Sequence, residues 1–188
     1  MNTFIKEAAM PKIILNLRDR ILENARTLLE REGYNGLAMR RVAASCNIAL
    51  GTVYNYFPSK DMLAGAMIAQ DWFKVLERMD LDIRNTTDVH DGLCAVAEGL
   101  ESFQASHAEI WKQYGSTSGS GYSYSERHAV LVDALAKRIS DVLKAGKCED
   151  EKTVCTLLAE AMISLSSHAN HYSDHSEILE RMIRRQEK

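Results

Sequence analysis

The stretch that decides the fold runs from Leu37 to Lys60 and reads LAMRRVAASCNIALGTVYNYFPSK. Its first half carries apolar residues at Met39, Val42 and Cys46, spaced three and four positions apart. This spacing places the three side chains on one face of a helix. The pattern therefore predicts a short helix over residues 39–46 with one buried face.

A second short helix is predicted over residues 50–57, after a tight turn. Asn47 lies in the turn and tolerates the left-handed conformation that such turns often need. The helix must stop at Pro58, because proline disfavours helical conformation in the residue before it. At about 100° per residue, Val53 and Phe57 share the inner face. The stretch is therefore predicted to be a helix-turn-helix.

The opposite face of this second helix is small, polar and aromatic, and it contains no acid. Gly51 would let a partner approach the backbone closely. Thr52 offers a hydroxyl and a methyl group, and Asn55 can read adenine through two hydrogen bonds. Tyr54 and Tyr56 on the flanks can donate to phosphate. This chemistry suits the major groove of DNA.

The segment from about Arg18 to Trp72 resembles the N-terminal domain of the TetR family of transcriptional regulators. The likeness rests on the RRVA run at residues 40–43 and on the block GTVYNYFPSK at residues 51–60. The family implies a homodimer on a partly palindromic operator in double-stranded DNA, usually a repressor released by a small-molecule effector. Carried over position by position, the DNA contacts of the family fall on Arg40, Leu50, Gly51, Thr52, Tyr54, Asn55, Tyr56 and Lys60.

The chain departs from the family at three positions in this segment. Ala38 and Ala49 stand where the family often has a hydroxyl residue, and losing such a helix N-cap typically costs about 1 kcal/mol. Leu50 stands where a polar or basic residue is common. These changes leave the functional class intact, but they put the operator sequence in doubt.

The composition indicates a helical protein with a sizeable core. The chain has 188 residues, is 46% hydrophobic and contains two prolines. No apolar run reaches about 18 residues, so we expect no membrane span. The N-terminus lacks the pattern of a signal peptide, and the four cysteines show no CxxC pairing, as in reduced cytoplasmic proteins. We therefore expect a cytoplasmic location.

The charge is unevenly distributed along the chain. Residues 1–60 hold nine Lys and Arg against five Asp and Glu, a net charge of +4. Since the whole chain has a net charge of −3, residues 61–188 carry −7. A basic end on an acidic body fits a protein that presents one end to phosphate.

The predicted fold class is all-α, with a three-helix helix-turn-helix domain at residues 1–58 and a helical ligand-binding and dimerisation domain at residues 59–188. A helix ending at Gly33 should pack behind the helix-turn-helix. The body should contain helices over about 60–79, 89–106, 108–114, 126–145, 150–171 and 176–185. By resemblance to the family, the helices at about 126–145 and 150–171 of two subunits are expected to form a four-helix dimer interface.

Candidate residues for an effector pocket are bulky or polar side chains of the body helices, which could equally be core: Phe103, Trp111, Tyr114, Met162 and His168. His168, His171 and His175 follow one another at one-turn spacing, which can bind Zn²⁺. The pair Ser173-Asp174 indicates a helix break there, so surface histidines are the favoured interpretation. We predict no metal and no cofactor.

Two other functional classes stay open from the sequence alone. The missing caps at Ala38 and Ala49 make a metal- or small-ligand-binding helical sensor without operator recognition conceivable. An enzyme is the weakest alternative, because the sequence contains no phosphate-binding glycine loop, nucleophile elbow or paired-carboxylate motif. We therefore expect a protein that is not an enzyme.

Overall fold

The structure is a computed structural model, and it describes residues 16–114, 124–148, 151–167 and 172–184. Within these ranges the secondary structure is helical, with no strand, so the predicted all-α class is confirmed. The α-helices are α1 Leu17–Gly36, α2 Met39–Ser45, α3 Leu50–Tyr56, α4 Lys60–Arg84, α5 Val89–Tyr114, α6 Tyr124–Ala145, α7 Lys152–Ser167 and α8 Ser176–Arg184. A short 3-10 turn, Tyr172–Asp174, precedes α8.

The chain divides into two compact units at the bond between Lys60 and Asp61. We call the N-terminal unit the head and the C-terminal unit the body. The head contains α1, α2, α3 and the first residue of α4. Among the described residues, no helix combines the length and the apolar character that a membrane crossing requires.

In the head, α1 forms the support on which the two short helices rest. Gly33 has φ 69° and ψ −177°, so it interrupts the helical conformation near the end of α1, as expected. This turn leads Tyr34 into the core, where it is 8% exposed. A side-chain bond then ties α1 to the end of α2, because Arg20 Nη2 donates to the carbonyl of Cys46 at 3.1 Å.

The turn between α2 and α3 has the predicted geometry. Asn47 has φ 52°, in the left-handed region that asparagine tolerates. Ser45 and Tyr56 end the two helices one residue earlier than expected, because Cys46 and Phe57 take the C-cap positions. This difference lies within the usual uncertainty of helix ends.

In the body, two helices extend beyond their predicted lengths. Helix α4 continues to Arg84 instead of ending near Met79. The prediction of a break near residue 107 was wrong, because α5 runs without interruption from Val89 to Tyr114. His107 is buried, and its Nδ1 lies 2.8 Å from the carbonyl of Phe103 one turn earlier, so the ring packs along the helix.

Close contacts in the body depend on small residues of α5. A Cβ atom added to Gly92 would lie 2.6 Å from Cγ1 of Val142 on α6, and one added to Gly99 would lie 2.6 Å from Cε of Met79 on α4. Helices α6 and α7 pack against each other, and both contact α5. The glycines therefore let α4 and α6 approach the central helix α5.

The C-terminal part of the body contains α7, the 3-10 turn and α8. Helix α7 begins at Lys152 and its described part ends at Ser167, whereas a helix over about 150–171 was predicted. Residues 168–171 lie outside the described residues. The turn at Tyr172–Asp174 agrees with the helix break expected at Ser173-Asp174.

Candidate nucleic-acid interface

Helix α3 is anchored to the head by its inner face. Val53 is 0% exposed and Phe57 is 3% exposed, as the helical spacing predicted. The N-cap residue Ala49 is extended and makes no side-chain cap bond, and the same is true of Ala38 before α2. Burial of the inner face, and not capping, therefore holds α3 in place.

The predicted DNA-contact residues remain accessible in the head. Tyr54 and Tyr56 are 45% and 44% exposed. Asn55 is exposed, and Leu50 and Thr52 are half-buried. The side chains face away from the buried stripe and form one surface on α3 without an acidic group. This surface can offer hydrogen bonds and methyl contacts to a groove without repelling phosphate.

Gly51 leaves the backbone of α3 open to a partner. It is exposed, and an added Cβ atom would meet nothing within 4 Å in the protein itself. Folding of the head therefore gives no steric reason for a glycine at this helical position. Close approach by an external molecule would give such a reason.

The two neighbouring arginines of α2 differ in their surroundings. Arg41 forms a two-pronged ion pair with Glu32 of α1, through both Nη atoms. The hydrogen bond from Arg41 lowers the pKa of the Glu32 carboxyl, and the same bond raises the pKa of Arg41. Arg40 is exposed. The structure therefore distinguishes the predicted DNA contact, Arg40, from its neighbour, whose charge a carboxylate neutralises.

Two cations of the head lie over aromatic rings, and neither contact was predicted from the sequence. Lys60 Nζ is 3.9 Å from the ring centroid of Tyr34, and the guanidinium carbon of Arg18 is 5.5 Å from that of Phe57. Both distances lie within the range of cation–π attraction. These pairs join residues far apart in the sequence, so no local pattern could have predicted them.

The predicted pocket residues that can be placed belong to the packed interior of the body. Phe103 is 7% exposed, and its ring centroid lies 4.9 Å from that of Trp72 and 4.7 Å from that of His107. Met162 is 1% exposed. The side chains of Trp111 and Tyr114, and all of His168, lie outside the described residues.

The predicted histidine cluster can be followed only at His175, since His168 and His171 lie outside the described residues. His175 lines an open cleft of about 300 Å³ between α7 and α8, together with Ala161, Ser164, Leu165, Ile178 and Leu179. Among the residues that the structure describes, no group of three metal-binding side chains is found. The four cysteines are free.

The head matches a known family of DNA-binding proteins. Residues 21–67 match the family model described as bacterial regulatory proteins, tetR family. The HTH-type transcriptional regulator UidR of Escherichia coli K12 is 26% identical over 133 residues, which cover 69% of this chain and 68% of UidR. The HTH-type transcriptional repressor KstR of Rhodococcus jostii RHA1 is 34% identical over 82 residues, 37% of this chain and 39% of KstR.

The fold is also found in a solved crystal structure. The crystal structure of RolR without ligand superposes with a TM-score of 0.62 and covers 88% of this chain and 90% of RolR, at 20% sequence identity. At this identity the likeness concerns the fold alone. The family match at residues 21–67 and the relatives that extend into the body together support a DNA-binding transcriptional regulator of the TetR family.

Proposed function

We propose that this regulator is a repressor that binds a partly palindromic operator as a homodimer and is released by a small-molecule effector. The observation that carries the proposal is the outward surface of α3, which is accessible and free of acids while Val53 and Phe57 anchor the helix inward. In this proposal α3 is the recognition helix and lies in the major groove.

The proposed contacts divide into base reading and backbone binding. Thr52 and Asn55 read base edges, and Leu50 offers an apolar contact to a thymine methyl group. Gly51 permits the close approach of the helix. The remaining contacts hold the phosphate backbone through hydroxyl groups and positive charges, and they are made by Arg40, Tyr54, Tyr56 and Lys60.

The proposed homodimer uses α6 and α7, the helices that cover most of the predicted interface at residues 126–145 and 150–171. Leu157 of α7 is 53% exposed, and Val130 of α6 and Ile178 of α8 are 65% and 64% exposed. In contrast, Ile139 and Leu143 of α6 are fully buried within the body. The outer side of α7 is therefore the centre of the proposed surface. A dimer would place two recognition helices about 34–36 Å apart on DNA.

The effector is proposed to bind in the body, where the aromatic side chains Trp72 and Phe103 pack together. RolR, which shares the fold, has been crystallised with the ligand resorcinol. For this chain we likewise propose a small molecule as the effector. As a DNA-binding regulator, the protein would act in the cytoplasm, where bacterial DNA is found.

Selection of bound sequences from a pool of random DNA duplexes tests the proposal directly. We expect the full-length protein to enrich a sequence with two-fold symmetry, and a gel-shift titration should then confirm preference over scrambled duplex. Native mass spectrometry of the purified protein should show two chains and reveal any carried small molecule. Enrichment of no sequence, by a folded protein that binds a metal or small ligand, would favour a sensor without operator recognition.

A further inference from the structure

Tyr34 has no role in the proposed DNA contacts, but it lies against Lys60 in the head. Lys60 Nζ lies 3.9 Å from the centroid of the Tyr34 ring. Tyr34 is only 8% exposed and follows Gly33, whose positive φ ends the helical part of α1 and leads the ring into the core. The ring is therefore a fixed surface, and the long lysine side chain rests on it.

The chemistry of this contact differs from that of an ion pair. A ring face attracts an ammonium group through its π electrons and covers only one side of it, whereas a carboxylate would accept hydrogen bonds from it and balance its charge. An aromatic ring carries no net charge, whereas Glu32 neutralises Arg41 in the same unit. Contact with Tyr34 therefore restrains Lys60 without cancelling its positive charge.

The position of Lys60 makes this restraint relevant to DNA. Lys60 is the first residue of α4 and follows the recognition helix after the short link Phe57–Ser59. A freely rotating lysine must lose rotamer freedom when it binds a phosphate, and this loss weakens binding. A lysine that is already restrained loses less.

We propose that Tyr34 is a positioning residue for DNA binding, whose buried ring holds the ammonium group of Lys60 ready to receive a phosphate of the DNA backbone. This inference rests on the proposed function, because Lys60 must contact phosphate. Tyr34 acts through Lys60 and need not touch DNA. From the usual cost of ordering a long side chain, the ring should improve affinity about two- to tenfold.

A double-mutant cycle on the full-length protein tests this inference. The probe is a fluorescein-labelled duplex of random sequence, about 30 base pairs or three helical turns long. No operator is needed, because a phosphate contact acts on every sequence. Dissociation constants are measured at low salt for the wild type, Tyr34→Leu, Tyr34→Phe, Lys60→Ala and the double variant Tyr34→Leu/Lys60→Ala.

The expected result is a loss that depends on Lys60. Tyr34→Phe keeps the ring and should bind like the wild type, whereas Tyr34→Leu should bind about two- to tenfold more weakly. In the Lys60→Ala background, Tyr34→Leu should cause no further loss. An equal loss in both backgrounds would overturn the inference, since it would mean that Tyr34 only supports the fold.

Two additions make every result informative. If circular dichroism shows that Tyr34→Leu is unfolded, Tyr34→Met keeps more of the apolar volume and replaces it in the cycle. The Hε protons of Lys60 should show an upfield ring-current shift in the wild type, and absence of this shift would also overturn the inference. If the wild type binds no duplex while showing the shift, the proposed function fails and the positioning role fails with it.

Discussion

Arg138 of α6 donates from Nη2 to the carboxylate of Asp80 on α4 at 2.9 Å. The same guanidinium donates from Nη1 to the carbonyl of Ala134 at 3.0 Å, and Nη2 also approaches the carbonyl of Leu76. Arg138 is 8% exposed as a residue, whereas the side chain of Asp80 is 40% exposed. The buried positive charge of Arg138 is thus balanced by the carboxylate of Asp80, which is partly exposed to solvent.

This asymmetry predicts that the two partners contribute differently to stability. Asp80→Ala leaves a buried charge without its carboxylate and should lower the free energy of unfolding by about 1–3 kcal/mol. Arg138→Met removes the charge and keeps an apolar chain of similar length, so it should be nearly neutral or stabilising. Urea denaturation at a single protein concentration measures both. A larger loss for Arg138→Met than for Asp80→Ala would contradict the prediction.

A second polar contact predicts that the stability of the body depends on pH. His90 Nδ1 of α5 lies 2.7 Å from Oε1 of Glu180 on α8, and this hydrogen bond raises the pKa of His90 above its ordinary value of 6.5. Nearby carboxylates of Asp88 and Asp91 act in the same direction on this pKa, and burial opposes them. Cys94 Sγ lies 3.6 Å from the other ring nitrogen.

Because the pKa of His90 is higher in the folded state, its contribution to stability is fully present below pH 6.5 and is lost as the pH rises through the raised value. The variant His90→Asn, which does not titrate, should therefore be less stable than the wild type at about pH 5.5 and closer to it at about pH 8.5. Urea denaturation at both pH values checks this. A difference that stays constant or widens with pH would rule out the His90 contribution.

Substitution of Gly51 by alanine is expected to change the stability of the head and its DNA binding in opposite directions. An alanine there would meet no atom within 4 Å, so Gly51→Ala should stabilise the folded protein by roughly 0.5–1 kcal/mol. If α3 lies closely in the major groove, the added methyl group should nevertheless weaken operator binding. Thermal unfolding and gel-shift titration measure the two effects. Unchanged operator affinity would show that the backbone at Gly51 does not approach DNA.

The proposed division between base reading and backbone binding predicts opposite signatures for two variants. Asn55→Ala should lose about 1–3 kcal/mol of binding energy on the selected operator and little on random duplex. Lys60→Ala should weaken binding to both duplexes alike and reduce the salt dependence by about one phosphate contact. Titrations at several salt concentrations distinguish the variants. Equal losses on both duplexes for Asn55→Ala would remove its base-reading role.

The proposed dimer surface is tested by two leucines of nearly equal exposure. Leu157 of α7 is 53% exposed and Leu81 of α4 is 52% exposed. Leu157→Asp should convert the dimer to a monomer in light scattering after size exclusion, because it places a charge in the interface core. Leu81→Asp is the matched control and should stay dimeric. The opposite outcome would move the interface to α4.

Much of the head could be predicted from neighbouring residues. The inner positions Val53 and Phe57 follow from helical spacing, and the end of α3 follows from Pro58. The body was harder to predict, because the continuity of α5 through residue 107 depends on packing, in which His107 is buried. The exposed or buried state of a body residue such as Leu157 depends on which face of its helix the neighbouring helices cover.

The sequence by itself determined the all-α class, the helix-turn-helix and the acid-free face of α3, since spacings of three and four residues decide which side chains share a helix face. Only the tertiary structure decided which side chain lies against each of three cations. Arg41 is neutralised by Glu32, Lys60 rests on the uncharged ring of Tyr34, and the buried Arg138 depends on Asp80. The physical reason is that these pairs join residues 9 to 58 positions apart, where the path of the whole chain determines which groups meet.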